Sequence, residues 1–153
     1  MIVYVDSSVI LRKLFNQPRA LLEWRLIRRA VASALIEVEC LRTIDRLRLA
    51  EGLSEGETAR RRAAVYEMME SVELVYPTRV VLDRAAQPMP TAIGSLDAVH
   101  LATALVWQER NGKRLIMATH DDRLGAAARA TGMKVVGTNL AARLLNKREP
   151  YRR

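Results

Sequence analysis

The sequence predicts an α/β three-layer sandwich, a central parallel sheet of about five strands flanked by helices. Two observations carry this. Short runs rich in β-branched residues alternate with longer Ala, Leu, Arg and Glu segments of helical spacing, a pattern that implies parallel pairing with helices on both faces of the sheet. Glycines also stand where helical segments should stop, at Gly52, Gly112 and Gly132.

The first strand is Ile2 to Val5, followed by Asp6, two serines and an apolar, cationic stretch. Asp and Ser accept hydrogen bonds from the free N–H groups that open a helix, so Asp6 reads first as a cap. "AVASA" from Ala30 to Ala34 is a weaker second strand, followed by helices over Leu35 to Ala50 and Ser54 to Ser71. "VELVYP" from Val72 to Pro77 is a weak third strand. "QPMPTAIGS" from Gln87 to Ser95, with two prolines and a glycine, is a loop inside the domain. A helix over Leu96 to Asn111, capped by Ser95, leads to the strand "LIMA" from Leu115 to Ala118. A last helix from Arg123 to Thr131 precedes the strand "KVV" from Lys134 to Val136. The ending "NKREPYRR" is basic and broken by proline, which predicts one domain over 1–146 and a mobile tail over 147–153. There is no internal repeat.

With 153 residues, the chain is long enough for one core that buries roughly two thirds of its unfolded surface. Half the residues are apolar and 27% are charged, a globular balance. Asp6 and Arg12 interrupt the apolar N-terminus and no apolar run approaches a membrane span, so a cytoplasmic location is expected. Cys40 has no partner for a disulfide and no metal-ligand spacing around it; it reads as a small buried hydrophobe. The net charge is +8 and nearly all the cations are arginine, whose planar fork suits phosphate. Aromatic residues make up only 5%, which disfavours a stacking platform for bases. Contact with nucleic acid would run mainly through phosphate.

The acids fall where ligands collect in open parallel sheets, outside the carboxyl ends of strands. Asp6 follows the first strand directly, and Asp121 and Asp122 follow the "LIMA" strand within a few residues. Asp97 lies in the first turn of its helix, and Glu37 and Glu39 in the opening turns of the helix after the second strand. Each alone would suit a helix dipole. Together they make an acidic pocket, and like charges so placed raise one another's pKa unless a cation intervenes. A hard divalent ion such as Mg²⁺ or Mn²⁺ takes oxygen ligands, whereas two scattered histidines, His100 and His120, do not argue for zinc. A metal held by carboxylates activates water and steadies developing charge in phosphodiester cleavage.

Four segments, "VDSSVIL", "SALIEVECLR" with Ser33 six residues before Glu39, "SLDAVHLATAL" and "ATHDDRLGAAARATGMKVV", together resemble the PIN-domain nucleases. In length and order the chain is similar, from Ile2 to Val136, to their VapC branch, the toxins of bacterial type II toxin–antitoxin modules. The resemblance implies a PIN-like sandwich and a Mg²⁺- or Mn²⁺-dependent endoribonuclease acting on structured RNA, usually a homodimer, inhibited by a small antitoxin. Position by position, the family's acids, catalytic and metal-binding, fall on Asp6, Glu39, Asp97 and Asp121. Ser7 or Ser8 matches the hydroxyl after the first acid and Thr119 the one before the last. Asp122 takes a variable position, as a neighbour that shapes the field or caps the following helix. His100 fits the pattern too, but on a largely apolar helix it reads as a satisfied packing residue.

Helical phase sets Glu37 near the arc of Ile36, Cys40, Ile44 and Leu47, with Glu39 about 200° away from Glu37 on the same wheel. Only one of the two can face the site. Periodicity alone favours Glu37, while the offset from Ser33 favours Glu39, which is the residue adopted. Arg12, Lys13 and the Arg60 to Arg62 run read as solvated cations. Trp24, in "ALLEW", is expected at a protein interface. The competing readings are a catalytically inactive PIN-like domain that binds RNA or protein, which would not need all four acids, and a phosphatase or receiver. A phosphatase of that type would need an acid where Ser8 stands.

Overall fold

The computed structural model describes residues 1–138. Five short strands, β1 (Ile2–Val5), β2 (Arg29–Ser33), β3 (Val72–Val75), β4 (Ile116–Ala118) and β5 (Lys134–Val136), form one sheet in the order β3-β2-β1-β4-β5. Every pairing is parallel. The connections are α1 (Ser7–Leu14), α2 (Leu35–Glu51), α3 (Glu55–Glu70), α4 (Arg79–Ala85), α5 (Ser95–Asn111) and α6 (Asp122–Ala130), with a 3-10 turn at Leu22–Leu26.

The strict two-residue period of the strands divides the core into two layers. Val3 and Val5 face one way, clustering with Ala32, Ala118 and the buried side chains of α1 to α3, among them Ile10, Ile36, Cys40, Ile44 and Val65. Tyr4, Val31 and Met117 face the other way, against Leu101, Ala104 and Trp107 of α5 and Leu124, Ala127 and Ala128 of α6. Each fully buried Ile or Leu contributes about 1.5–3 kcal/mol, so both faces are firmly held. The three-layer expectation therefore matches what is seen.

Chain order positions the site. From β1 the chain steps outward to β2 and β3, then returns through α4 and α5 to β4 on the other side of β1. The carboxyl ends of β1 and β4 thus form the crevice of a topological switch point. Ladder-like bonds run past the strand ends, Asp6 N–H to Ala118 O at 3.0 Å and Thr119 N–H to Val136 O at 3.2 Å, which fixes the residues that follow each strand.

Some local expectations are corrected. Gly94, not Ser95, occupies the cap position of α5; Ser95 is already helical, so its hydroxyl caps nothing there. Helix α4 was not foreseen because its seven residues, "RVVLDRA", are too few to show a period; it packs on α5 through Val81, Ala102 and Val106. Gly52 and Gly112 do end α2 and α5 in left-handed conformation, at φ 67° and 60°. Cys40 is fully buried, as its reading as a small hydrophobe requires. Among the described residues no helix is long and apolar enough to cross a membrane. The boundary between 1–146 and 147–153 lies outside the described residues.

Candidate active site

Asp6 is both a cap and something more. It stands at the N-cap of α1, where its Oδ2 accepts a long bond of 3.4 Å from Ser8 N–H. The same oxygen takes a short hydrogen bond from the Ser8 hydroxyl and one of 2.9 Å from Thr119 Oγ1. A carboxylate only 6% exposed is therefore held by two hydroxyls, one from the helix after β1 and one from the residue after β4. Those hydroxyls are tied in turn: Ser8 Oγ accepts from His120 N–H at 3.0 Å, and Thr119 Oγ1 accepts from Asp121 N–H at 2.9 Å. Buried charge without partners is costly, and this cradle removes that cost while orienting the group. Between Ser7 and Ser8, it is Ser8 that bonds the acid.

Asp121 caps α6, its Oδ1 accepting from Arg123 and Leu124 N–H at 2.7 and 3.0 Å. Asp122 is the first residue of that helix and not its cap. Asp97, in the first turn of α5, is half-buried. Its carboxyl is pushed above the usual range, first by burial and then by the charges of Asp121 and Asp6, against the counter-pull of His100 and of a bond to Gly94 N–H. The three aspartates thus share one electrostatic environment.

Glu39 joins them from α2, in the layer that also holds α1 and lies opposite α5 and α6. Its Oε2 meets His100 Nε2 at 2.9 Å, and His100 Nδ1 meets the Tyr4 hydroxyl at 2.8 Å. That hydroxyl also accepts Ser33 N–H at 2.9 Å, and burial, the largest influence on it, pushes its pKa well above the ordinary value. One ligand atom each from Asp6, Glu39 and His100 lies within 4.8 Å of the others. Burial alone would lower the pKa of His100; its bond to Glu39 and the charges of Glu39, Asp6 and Asp97 outweigh that and raise it.

Of the acids expected from sequence, Asp6 and Glu39 come together around His100, and the charges of Asp6 and Asp121 reach Asp97. Glu37 sits on the opposite edge of the buried stripe of α2, about 100° round from Ile36 where Glu39 lies about 60° back. His100 does more than pack. It is satisfied and packed, edge-on to Tyr4, but its partner is a site carboxylate. The signal was available: His100 stands three residues after Asp97, on the same helical face.

The donor set suits a hard divalent cation. Carboxylate oxygens of Asp6 and Glu39 converge, and Asp97, raised first by burial and then by the charges of Asp121 and Asp6, carries like-charge repulsion that a cation would relieve. A cleft of about 460 Å³ opens beside Glu39, lined also by Ser7, Arg42, Thr43 and Arg46. Arg42 and Arg46 share the Glu39 edge of α2 on successive turns. Trp24, expected at an interface, is half-buried against the core with the Lys13 ammonium 5.7 Å from its ring centre; its neighbours Leu22 and Leu26 are exposed, by 94% and 63%.

Comparison with known proteins bears on the family and the fold. The family model described as PIN domain matches residues 3–130. Ribonuclease VapC46 of Mycobacterium tuberculosis (strain ATCC 25618 / H37Rv) is 33% identical over 138 residues, covering 88% of this chain and 95% of the relative. A toxin–antitoxin complex from Klebsiella pneumoniae superposes with a TM-score of 0.62 at 12% identity, over 88% of this chain and 95% of the other. VapBC2 from Rickettsia felis, solved on a DNA fragment from its promoter, gives 0.62 at 9% identity, over 88% and 97%. At such identities the two structures speak for the fold.

Proposed function

This chain belongs to the PIN-domain family, and on that premise we propose that it is a metal-dependent endoribonuclease toxin that hydrolyses phosphodiester bonds in RNA. The observation that carries the reading is the convergence of Asp6 and Glu39 beside an Asp97 whose carboxyl is raised by burial and, after that, by the charges of Asp121 and Asp6. An acidic pocket in a protein of net charge +8 suits a polyanionic substrate only if a cation sits in the pocket.

Asp6, Glu39, Asp97 and Asp121 would hold Mg²⁺ or Mn²⁺, which supplies Lewis acidity and an activated water when bound. The protein's own share is positioning. Ser8 and Thr119 fix the Asp6 carboxylate and α6 fixes Asp121, while Arg42, which also meets Asp45, and Arg46 in the cleft beside Glu39 would hold the RNA backbone near the bond being cut. Water adds to phosphorus as the phosphorus–oxygen ester bond breaks. A cytoplasmic location follows from the substrate.

A small antitoxin is the proposed partner, as the toxin–antitoxin complexes among the structural neighbours suggest, and a homodimer is the proposed form, as the family resemblance implies. Leu22 and Leu26 offer exposed apolar surface for the antitoxin. Leu22→Asp with Leu26→Asp should then abolish co-purification with it while leaving cleavage by the isolated chain intact; retained co-purification would remove this surface from the reading. The nuclease itself is tested by incubating purified protein with total RNA in Mg²⁺ or Mn²⁺, with and without excess chelator. Cleavage that stops with chelator is expected. RNA binding with no cleavage in either metal would favour the inactive domain instead.

A further inference from the structure

We infer that His100 is the positioning residue for Glu39: its Nε2–H fixes Oε2 of the carboxylate, so that Oε1 is the oxygen presented to the metal, and the imidazole is not itself a ligand. This goes beyond the proposed nuclease and rests on it.

The hydrogen count decides the roles. A carboxylate oxygen offers only lone pairs, so a ring nitrogen 2.9 Å from Glu39 Oε2 must carry the hydrogen. If the hydrogen stood only on Nδ1, two lone pairs would face each other across that distance. Nδ1 is engaged on its other side by the Tyr4 hydroxyl at 2.8 Å, and that hydroxyl is pinned by Ser33 N–H at 2.9 Å. The chain Ser33–Tyr4–His100–Glu39 therefore runs from the end of β2 through β1 and α5 to α2, each link inside hydrogen-bond range. Tyr4 is fully buried and His100 1% exposed, so neither ring can swing away. For His100 to ligate a metal directly, one of its two bonds would have to break, although Asp6, Glu39 and His100 lie close enough for the idea to arise.

The geometry also explains why the support is needed. Glu39 projects from the flank of α2, with three side-chain torsions between its backbone and its oxygens, whereas Asp6 is short and already held by two hydroxyls. Without a donor the Glu39 carboxylate could rotate into the adjoining cleft, towards Arg42 and Arg46. Outer hydrogen-bond partners of ligating carboxylates typically govern metal affinity by about 10–100-fold.

The test is a Mn²⁺ titration followed by electron paramagnetic resonance on wild type, His100→Leu, His100→Gln and Tyr4→Phe, with circular dichroism to establish folding. Leucine keeps the bulk without a donor and should weaken Mn²⁺ binding by about tenfold or more. Glutamine reaches as far as Nε2 with an N–H and should restore most of the affinity. Tyr4→Phe leaves the imidazole but removes its brace, and should weaken binding less than leucine does; it serves equally if the leucine variant fails to fold. Electron spin-echo modulation on the wild-type Mn²⁺ complex should show no directly bound imidazole nitrogen. A bound nitrogen, or unchanged affinity in His100→Leu and Tyr4→Phe, overturns the inference while leaving the nuclease reading intact. A wild-type chain that binds no Mn²⁺ overturns both.

Discussion

Asp6→Asn separates a helix cap from a metal ligand within one side chain. Asparagine caps a helix about as well as aspartate, so that role survives the change. Among the described residues, the side-chain hydrogen bonds of Asp6 go to Oδ2, from Ser8 N–H, Ser8 Oγ and Thr119 Oγ1. A carboxamide oxygen can accept all three, as weaker neutral bonds. Bonds to a charged acceptor are worth about 1.5–3 kcal/mol against about 1 for neutral ones, and this loss is offset in part because the Asp6 charge, after burial and the Asp121 charge, helps to raise Asp97. Without metal the variant should match wild type to within about 1 kcal/mol.

With metal the two should diverge. At free Mn²⁺ one hundred times its dissociation constant, binding stabilises wild type by about 2.7 kcal/mol, or roughly 5–11 °C in Tm for a domain of this size. If loss of a charged ligand weakens binding about thirtyfold, the same Mn²⁺ concentration gives the variant only about 0.9 kcal/mol, roughly 2–3 °C. Cleavage should fall by about a hundredfold or more, since a neutral amide is a poor ligand for the ion that activates water. Thermal melts of both proteins with and without Mn²⁺, run beside an RNA cleavage assay, make the comparison. Equal metal-induced shifts together with equal cleavage would reduce Asp6 to a cap.

Glu39→Gln should abolish RNA cleavage with folding intact and Glu37→Gln should leave most of it, read by the same assay; the reverse result would mean that the wrong edge of α2 faces the metal. In the cleavage-dead Glu39→Gln background, adding Arg42→Ala and Arg46→Ala should weaken RNA binding and reduce the slope of log affinity against log salt by about 1.4, about 0.7 per lost phosphate contact on a single strand. An unchanged slope would remove the two arginines from the RNA path. Gly137→Ala should lower Tm by about 4–8 °C for a cost of about 2 kcal/mol, because Gly137 has φ +90° and an added Cβ would stand 2.7 Å from Thr119 O. The displaced Thr119 also bonds Asp6, so cleavage should fall in parallel; an alanine variant melting like wild type would show that the β5 end can relax.

The strands were legible because they are short, largely β-branched runs set between longer segments of helical spacing, and so were the junction acids Asp6, Asp97 and Asp121, which lie within a few residues of a strand end or helix start. The sheet order β3-β2-β1-β4-β5 is another matter, since it is a choice among crossovers that no single segment encodes. Yet that order makes the ends of β1 and β4 neighbours, and so joins Asp6 to Thr119 across 113 residues. Glu39 shows the limit most clearly. The wheel of α2 puts Glu37 and Glu39 on opposite edges of one buried stripe, where periodicity alone favours Glu37 and only the offset from Ser33 favours Glu39. What distinguishes them is that α5, from the other face of the sheet, brings His100 to one edge only. A buried histidine three residues after an acid was the local sign of that encounter, and it passed for packing because packing and positioning use the same ring. In this site the apolar face of Tyr4 and His100 fills the core while their polar tips reach the carboxyl end of the sheet, so the core itself sets the orientation of a carboxylate carried by the opposite layer.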